Sequence, residues 1–554
     1  MNRYTTTLFL VLITNLSILS QNKYWIFLND KNNVEYDYES YLDQKAVDRR
    51  IKIDYPLNDY TDLPINKDYV KGLNQYVISI TGSSRWFNAV ACYVEEENIP
   101  IIETLPYVKE VQKMHYQQIM TSYDSISIGE KNLLKGQLES LEGDLFTQSN
   151  ITGKGIRICV IDGGFKKADI SKPLEHLFTN NQIVKTWNFN GNNPNVYTSI
   201  SHGTTVLSCI AGKHNNQPMG LAQDAEFLLA KTEKLIVENK SEEEDWLMAV
   251  EWADANGADI INSSLGYTSD EYFKEQMDGK TSIIARAANL AAKKGILVMI
   301  SAGNSGTSKW KYIGTPADAD SVFAVGALNP WTGIHTAFSS YGPTSDKRLK
   351  PNAVAYGHVM GYSYKYGVHE TQGTSFSCPI LAGFAACVMQ QYPNMTNMEV
   401  FESLEKSGHL YPYFDYAHGY GLPKASYFLT DGGVTAVYNS TFEVIEDENT
   451  ISIKIKDDYF SPTHHFSRRT HENSLKHTFK NFHIKNSSYS SMLTNINDIS
   501  GELFYFHVEN SNGYLDQYEV IAVNKKEILN VSKVDFKNKT LRFYYKNYLY
   551  EKHL

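Results

Sequence analysis

From residue 153 to about 430 the chain alternates short, unbroken apolar runs with longer helical stretches. Residues 156–161, 227–230, 260–263, 296–301 and 322–325 are apolar at nearly successive positions, as strands covered on both faces are. Between them, 246–255 and 281–294 read as helices. Strands alternating with helices imply parallel pairing and helices on both sheet faces. The fold class expected is therefore α/β, a doubly wound, mostly parallel sheet over residues 151–432. In such sheets ligands gather at the carboxyl ends of the strands.

The flanks read differently. Residues 21–115 suggest a separate α+β unit of βαβ type. In it 76–80, 86–94 and 108–114 are strand-like and 95–105 helical despite Pro100. The basic positions Lys45, Arg49, Arg50 and Lys52 suggest a solvated helix face. Residues 116–150 are polar and read as a linker, with a helix within 133–145. Past residue 433, apolar runs at 442–445, 451–455, 503–508, 518–523 and 541–545 predict a C-terminal β-rich domain over 433–554. His464, His465, His471, His477 and His483 fall there in one serine-rich stretch. With no carboxylate or thiol set among them, they read as a solvated loop rather than a metal site.

Residues 1–20 have the layout of a secretory signal peptide. Arg3 precedes an apolar run over 8–13, with Ser17 and Ser20 before a cleavage point. No later run approaches the roughly 20 apolar residues of a membrane span. A net charge of −10 argues against a nucleic-acid partner. The five cysteines fit neither a zinc spacing nor a disulfide framework and read as buried thiols.

The chemistry is carried by four short motifs. Asp162 ends the run 156–161 and is followed by Gly163 and Gly164, which places a carboxylate at a strand tip. His202-Gly203-Thr204 opens an apolar helical run. Gly373-Thr374-Ser375 opens another, with Pro379 near its start. A serine hydroxyl becomes a nucleophile when an imidazole takes its proton, and the imidazole needs a buried carboxylate to orient it and balance its charge. Asp162 would orient, His202 would act as base and then acid, and Ser375 would attack. Asn304, in the glycine turn Ala302-Gly303-Asn304-Ser305-Gly306 after the run 296–301, would pair with the Ser375 N–H as an oxyanion hole.

On these motifs residues 153 to about 428 resemble the catalytic domain of the subtilisin-like serine proteases, the subtilases of family S8. Asn262-Ser263-Ser264-Leu265-Gly266, Gly314-Thr315-Pro316-Ala317 and Phe338 to Pro343 add to the likeness. The resemblance implies a secreted serine endopeptidase acting on protein or peptide substrates. Ser264, Leu265, Gly266, Ala302 and Gly303 would bind substrate beside the scissile bond. Residues 21–115 resemble, more weakly, the family's inhibitory propeptide, which makes the chain's own N-terminal unit an intramolecular partner. The layout is similar to subtilases secreted by Bacteroidetes; no sorting domain of that group is matched to 433–554. No cofactor is expected. Calcium often supports the family, and no loop here is assigned to it.

Two departures bear on function. Lys350-Pro351-Asn352 stands where relatives have Lys-Pro-Asp, outside the triad. The acidic run Glu242-Glu243-Glu244-Asp245 reads as a solvated helix start, with attraction of basic substrates as the other reading. A catalytically inactive relative that binds extended peptides is the alternative function. A peptide ligase sharing the acyl-enzyme is a third.

Overall fold

The computed structural model describes residues 22–114, 123–124, 130–233, 242–268, 272–429, 439–460 and 503–554. The expected signal peptide and the histidine-rich stretch lie outside these. The chain forms two compact units. One comprises residues up to Tyr36 with Tyr60–Met114, the other Asp37–Asp59 with everything from His115 onward.

The first unit is a four-stranded antiparallel sheet in the order Ser79–Ser84, Ala89–Val94, Asn22–Leu28, Val108–Lys113. Helices Lys67–Leu73 and Ile99–Glu103 lie on its two long connections, giving the βαββαβ pattern of interleaved βαβ passes. Ile26, Leu73, Val90, Cys92 and Ile102 form its core. The central strand Asn22–Leu28 was not foreseen from the sequence.

The second unit is built on seven parallel strands. Their order is Ala353–Tyr356, Val322–Leu328, Leu297–Ser301, Ile260–Ser263, Arg157–Asp162, Glu226–Lys231, Ile183–Asn188. The chain adds strands first to one side of Arg157–Asp162 and then to the other. Asp162 thus tips the strand at which the winding reverses, where a doubly wound sheet opens a crevice. The helix Thr374–Gln391 is buried from Thr374 to Met389 and runs through the middle of the core beside His202–Ala211. An antiparallel hairpin, His358–Ser363 with Gly367–Gln372, leads into that helix, and the two-residue strand Tyr123–Asp124 pairs with its second arm.

Three readings are revised by burial. Within the stretch read as a linker, Glu130–Glu139 and Gly143–Gln148 are helices, and Leu138, Leu141 and Phe146 belong to the main core. The basic face over 45–52 is solvated only in part: Lys52 is exposed, but the two arginines are not. Arg49 and Arg50 are 4% and 0% exposed, because Asp254 offers both a buried carboxylate. Nor is the acidic run a solvated helix start, since Glu243, Glu244 and Asp245 are buried in the helix Glu242–Ala255. Glu243 accepts a hydrogen bond from Tyr272 Oη at 2.6 Å, and burial pushes its carboxyl up to about 7.

The C-terminal region holds two antiparallel sheets. One is Phe442–Glu446, Thr450–Ile455, Glu527–Ser532; the other is Leu515–Ala522, Leu503–Glu509, Thr540–Tyr545, Tyr548–His553. It meets the parallel-sheet body through tyrosines, Tyr413 stacking on Tyr544 and lying tilted against Tyr505. All five cysteines are buried and free.

Candidate active site

Asp162 is fully buried, and both its carboxylate oxygens lie 2.9 Å from His202 Nδ1. A carboxylate so placed receives the Nδ1 proton and leaves Nε2 as the working nitrogen. His202 starts the helix His202–Ala211. Gly203 lets that helix close on the strand tip: its N–H donates to Gly164 O at 2.9 Å, and a Cβ there would lie 2.8 Å from that oxygen and 3.0 Å from Asp162 Cβ.

Ser375 sits in the first turn of Thr374–Gln391, where backbone N–H groups lack helical acceptors. Pro379 lies within the same helix rather than at its very start. Proline has no N–H, so the carbonyl of Ser375 loses the donor four residues on. Ser264 Oγ supplies the bond instead, donating to Ser375 O at 2.9 Å. Ser264 therefore holds the Ser375 backbone through its side chain. The His202 ring lies 5.5 Å from that of Phe376, which shields it on one side.

Asn304 is fixed by its oxygen. Oδ1 accepts from Thr374 N at 3.1 Å and Thr374 Oγ1 at 3.0 Å, so the amide NH₂ is turned away from Thr374. Thr374 Oγ1 also accepts from Gly303 N at 3.2 Å. Thr374 lay within the quoted Gly373-Thr374-Ser375 motif without a role, and it ties that motif to Gly303 and Asn304. Gly266, Ala302, Gly303 and Asn304 line one small cavity together with Thr268, Ser301, Ser305 and Gly314. Four of the positions read from sequence thus share a pocket, while Leu265 is 2% exposed and packs inward. Gly314 and Thr268 are additions; Gly314 lay within a quoted motif without a role.

Asn352 explains its departure from the family pattern. Its Oδ1 accepts from Ala324 N at 2.8 Å and Lys350 Nζ at 3.1 Å, and its Nδ2 donates to Glu405 at 2.8 Å. The amide serves two backbone-fixing partners and an acid, a structural task. Among the described residues no three His, Cys, Asp or Glu side chains are grouped as metal ligands.

A doubly wound sheet with Asp162 at a strand tip, and with His202 and Ser375 in the first turns of two packed helices, is the layout expected of a subtilisin-type serine peptidase. The sequence profile of the subtilase family matches residues 153–421, and that of the Bacteroidota peptidase S8 propeptide domain matches 23–127. Subtilisin of Bacillus pumilus is 30% identical over 258 residues, spanning 46% of this chain and 84% of that protein. Subtilisin NAT of Bacillus subtilis subsp. natto is 28% identical over 327 residues, 58% of this chain and 76% of its own length. Fervidolysin from Fervidobacterium pennivorans, a keratinolytic enzyme related to subtilisin, shares the fold with a TM-score of 0.53 at 16% identity, over 94% of this chain and 70% of its own. The chain belongs to the subtilase family of serine endopeptidases and carries that family's propeptide domain at its N-terminal end.

Proposed function

We propose that the protein is a secreted endopeptidase that cuts peptide bonds through an acyl-enzyme on Ser375. The observation that carries this reading is the Asp162–His202 pair, held at 2.9 Å at the strand tip beside the Ser375 helix. In the reaction Ser375 Oγ attacks the scissile carbonyl and its proton passes to His202 Nε2. The Asp162 carboxylate balances the imidazolium that forms. The oxyanion accepts from the Asn304 amide and the Ser375 N–H, donors already aimed before the charge develops. His202 then returns the proton to the leaving amine, and water repeats the sequence on the ester. An extended substrate adds as a strand along residues 264–266, with one side chain against the small cavity lined by Gly266, Gly303 and Gly314.

Two features support the secreted, zymogen form. The expected signal peptide precedes the propeptide match, and one relative is a minor extracellular protease of Bacillus subtilis. Near the end of that match, Tyr123 pairs with Gln372 and Asp124 with Thr371, just ahead of Ser375. A pro-segment tail paired there would run beside the turn that leads into the Ser375 helix, which supports inhibition in cis. Incubating the full chain and its Ser375→Ala form, with casein as added substrate, tests the reading. The parent should shorten itself and digest casein while the variant does neither; equal behaviour of the two would refute it.

A further inference from the structure

The helix Gln44–Lys52 lies within the propeptide match, yet it folds as part of the catalytic body. Its two arginines meet one acid. Arg50 pairs with Asp254 at 2.6 Å, and Arg49 pairs with the other oxygen of the same carboxylate. Asp254 and Arg50 are both 0% exposed. Arg49 also donates to the carbonyl of Ala258 and, through Nε, to that of Lys294 at 3.1 Å. Lys294 is the C-cap of Ile283–Lys293, and the carbonyl of Asp254, in the last turn of Glu242–Ala255, also accepts from Arg49 at 3.4 Å; helical acceptors at such ends lack donors. One guanidinium therefore caps two helices of the protease domain.

The seat is shaped for this segment. Gly257 and Gly295 follow the two helices with φ of +71° and +95°. A Cβ on Gly257 would lie 2.7 Å from Lys45 Cβ, and one on Gly295 would lie 3.0 Å from Arg49 Cγ. Asp43 N donates to Ala255 O at 2.8 Å, and the Asp43 carboxylate pairs with Arg157 at 3.1 Å. Lys45 Nζ donates to Gly155 O at 2.6 Å. The fully buried Lys294 has Asp59 at 3.5 Å and the Tyr55 ring at 5.0 Å, both from the same segment.

Removing the segment would strip Asp254 of both arginines and Lys294 of Asp59, leaving charges buried without those partners, which is far costlier than losing a surface pair. We propose that Asp37–Asp59 is a structural clamp of the protease domain that stays seated on it when the rest of the pro-segment is cut away. Its docking surface is the glycine-rimmed Asp254 site, and its partner is a di-arginine helix of the same chain. The retention rests on the reading that the enzyme matures by cleavage.

The test uses the full chain, left to process and then purified natively by size. Intact-mass measurement of the denatured active fraction should find a peptide containing Gln44–Lys52 in amounts equal to the protease. An active fraction with no peptide from 37–59 would overturn the proposal. If no processing occurs, the maturation reading fails, and limited trypsin digestion of the Ser375→Ala chain still decides the clamp. The bonds after Arg49 and Arg50 should then be cut at least roughly a hundredfold more slowly than in the same chain in urea, the scale of a broken buried pair. Cutting there as fast as after the exposed Lys135 would overturn it.

Discussion

The hydroxyl of Ser264 donates to the carbonyl of Ser375 at 2.9 Å, in the place left open by the missing N–H of Pro379. Ser264 follows a strand of the central sheet, and Ser375 opens the helix that crosses the core. The bond therefore locks the nucleophile's backbone to the rigid part of the fold. It also releases the first turn of the helix from the proline, so that a proline so close to the nucleophile leaves no carbonyl orphaned.

Ser264→Ala removes that donor from a buried carbonyl. Stability should fall by about 1–3 kcal/mol, the cost of an unsatisfied buried acceptor. Turnover should fall with little change in KM, because the nucleophile is loosened while the pocket is intact. Ser264→Thr, which keeps the hydroxyl, should restore most of both. Denaturant unfolding on the Ser375→Ala background and peptide kinetics on the active form check these outcomes.

Asn304→Ala should lower kcat by about 10²–10³ with KM nearly unchanged, the scale established for an oxyanion-hole asparagine in a subtilisin. The oxyanion exists only on the way to product, so substrate binding does not feel the loss. A rise in KM at unchanged kcat would assign Asn304 to binding alone.

Thr374→Val removes the hydroxyl that both accepts from Gly303 N and donates to Asn304 Oδ1. The asparagine keeps only the Thr374 N–H, so its amide is less well aimed. Turnover should drop by roughly tenfold, a fraction of the loss from deleting the amide itself. In the Asn304→Ala background the same change should add little, because the two act as one unit.

The chemistry was more legible in the sequence than the packing. Asp162, His202, Asn304 and Ser375 each sit in a short motif whose glycines and apolar neighbours declare a strand tip, a turn or a helix start; Asp162 ends a strand, His202 and Ser375 lie in the first turns of helices, and Asn304 lies in the turn three residues past Ser301. The edge strand Ile183–Asn188 was not visible, because Lys185 and Thr186 break the apolar run that marks a covered strand. The burial of Arg49 and Arg50 was not visible either. It depends on Asp254, two hundred residues further on, and nothing local distinguishes an arginine that finds such a partner from one facing water. The same holds for Glu243, whose partner Tyr272 arrives from a different loop.

Buried groups also set how stability responds to acid. Burial pushes His335 and His507 down to about 3, so below the ordinary value near 6.5 the unfolded chain binds more protons and stability falls with falling pH. Glu243 and Asp318, raised by burial to about 7 and about 6, act the other way. Above their unfolded values the folded chain holds the extra protons, so stability is greatest below about 4.5 and is lost as pH rises through 7. Between pH 7 and 5 the pairs oppose each other at about 2 kcal/mol per group. Glu243→Gln should therefore steepen the acid loss and His507→Gln should flatten it, read as Tm against pH in the Ser375→Ala chain. Superimposable profiles would contradict the assignment.

The central claim is that Ser375 is an activated nucleophile. A fluorophosphonate probe on the purified protein, followed by peptide mapping, tests it most directly. The account predicts one adduct, on Ser375, absent from Ser375→Ala and formed more slowly on acidification, as protonation removes the general base. No adduct on protein already freed of its N-terminal unit, or labelling indifferent to pH from 8 to 5, would contradict it.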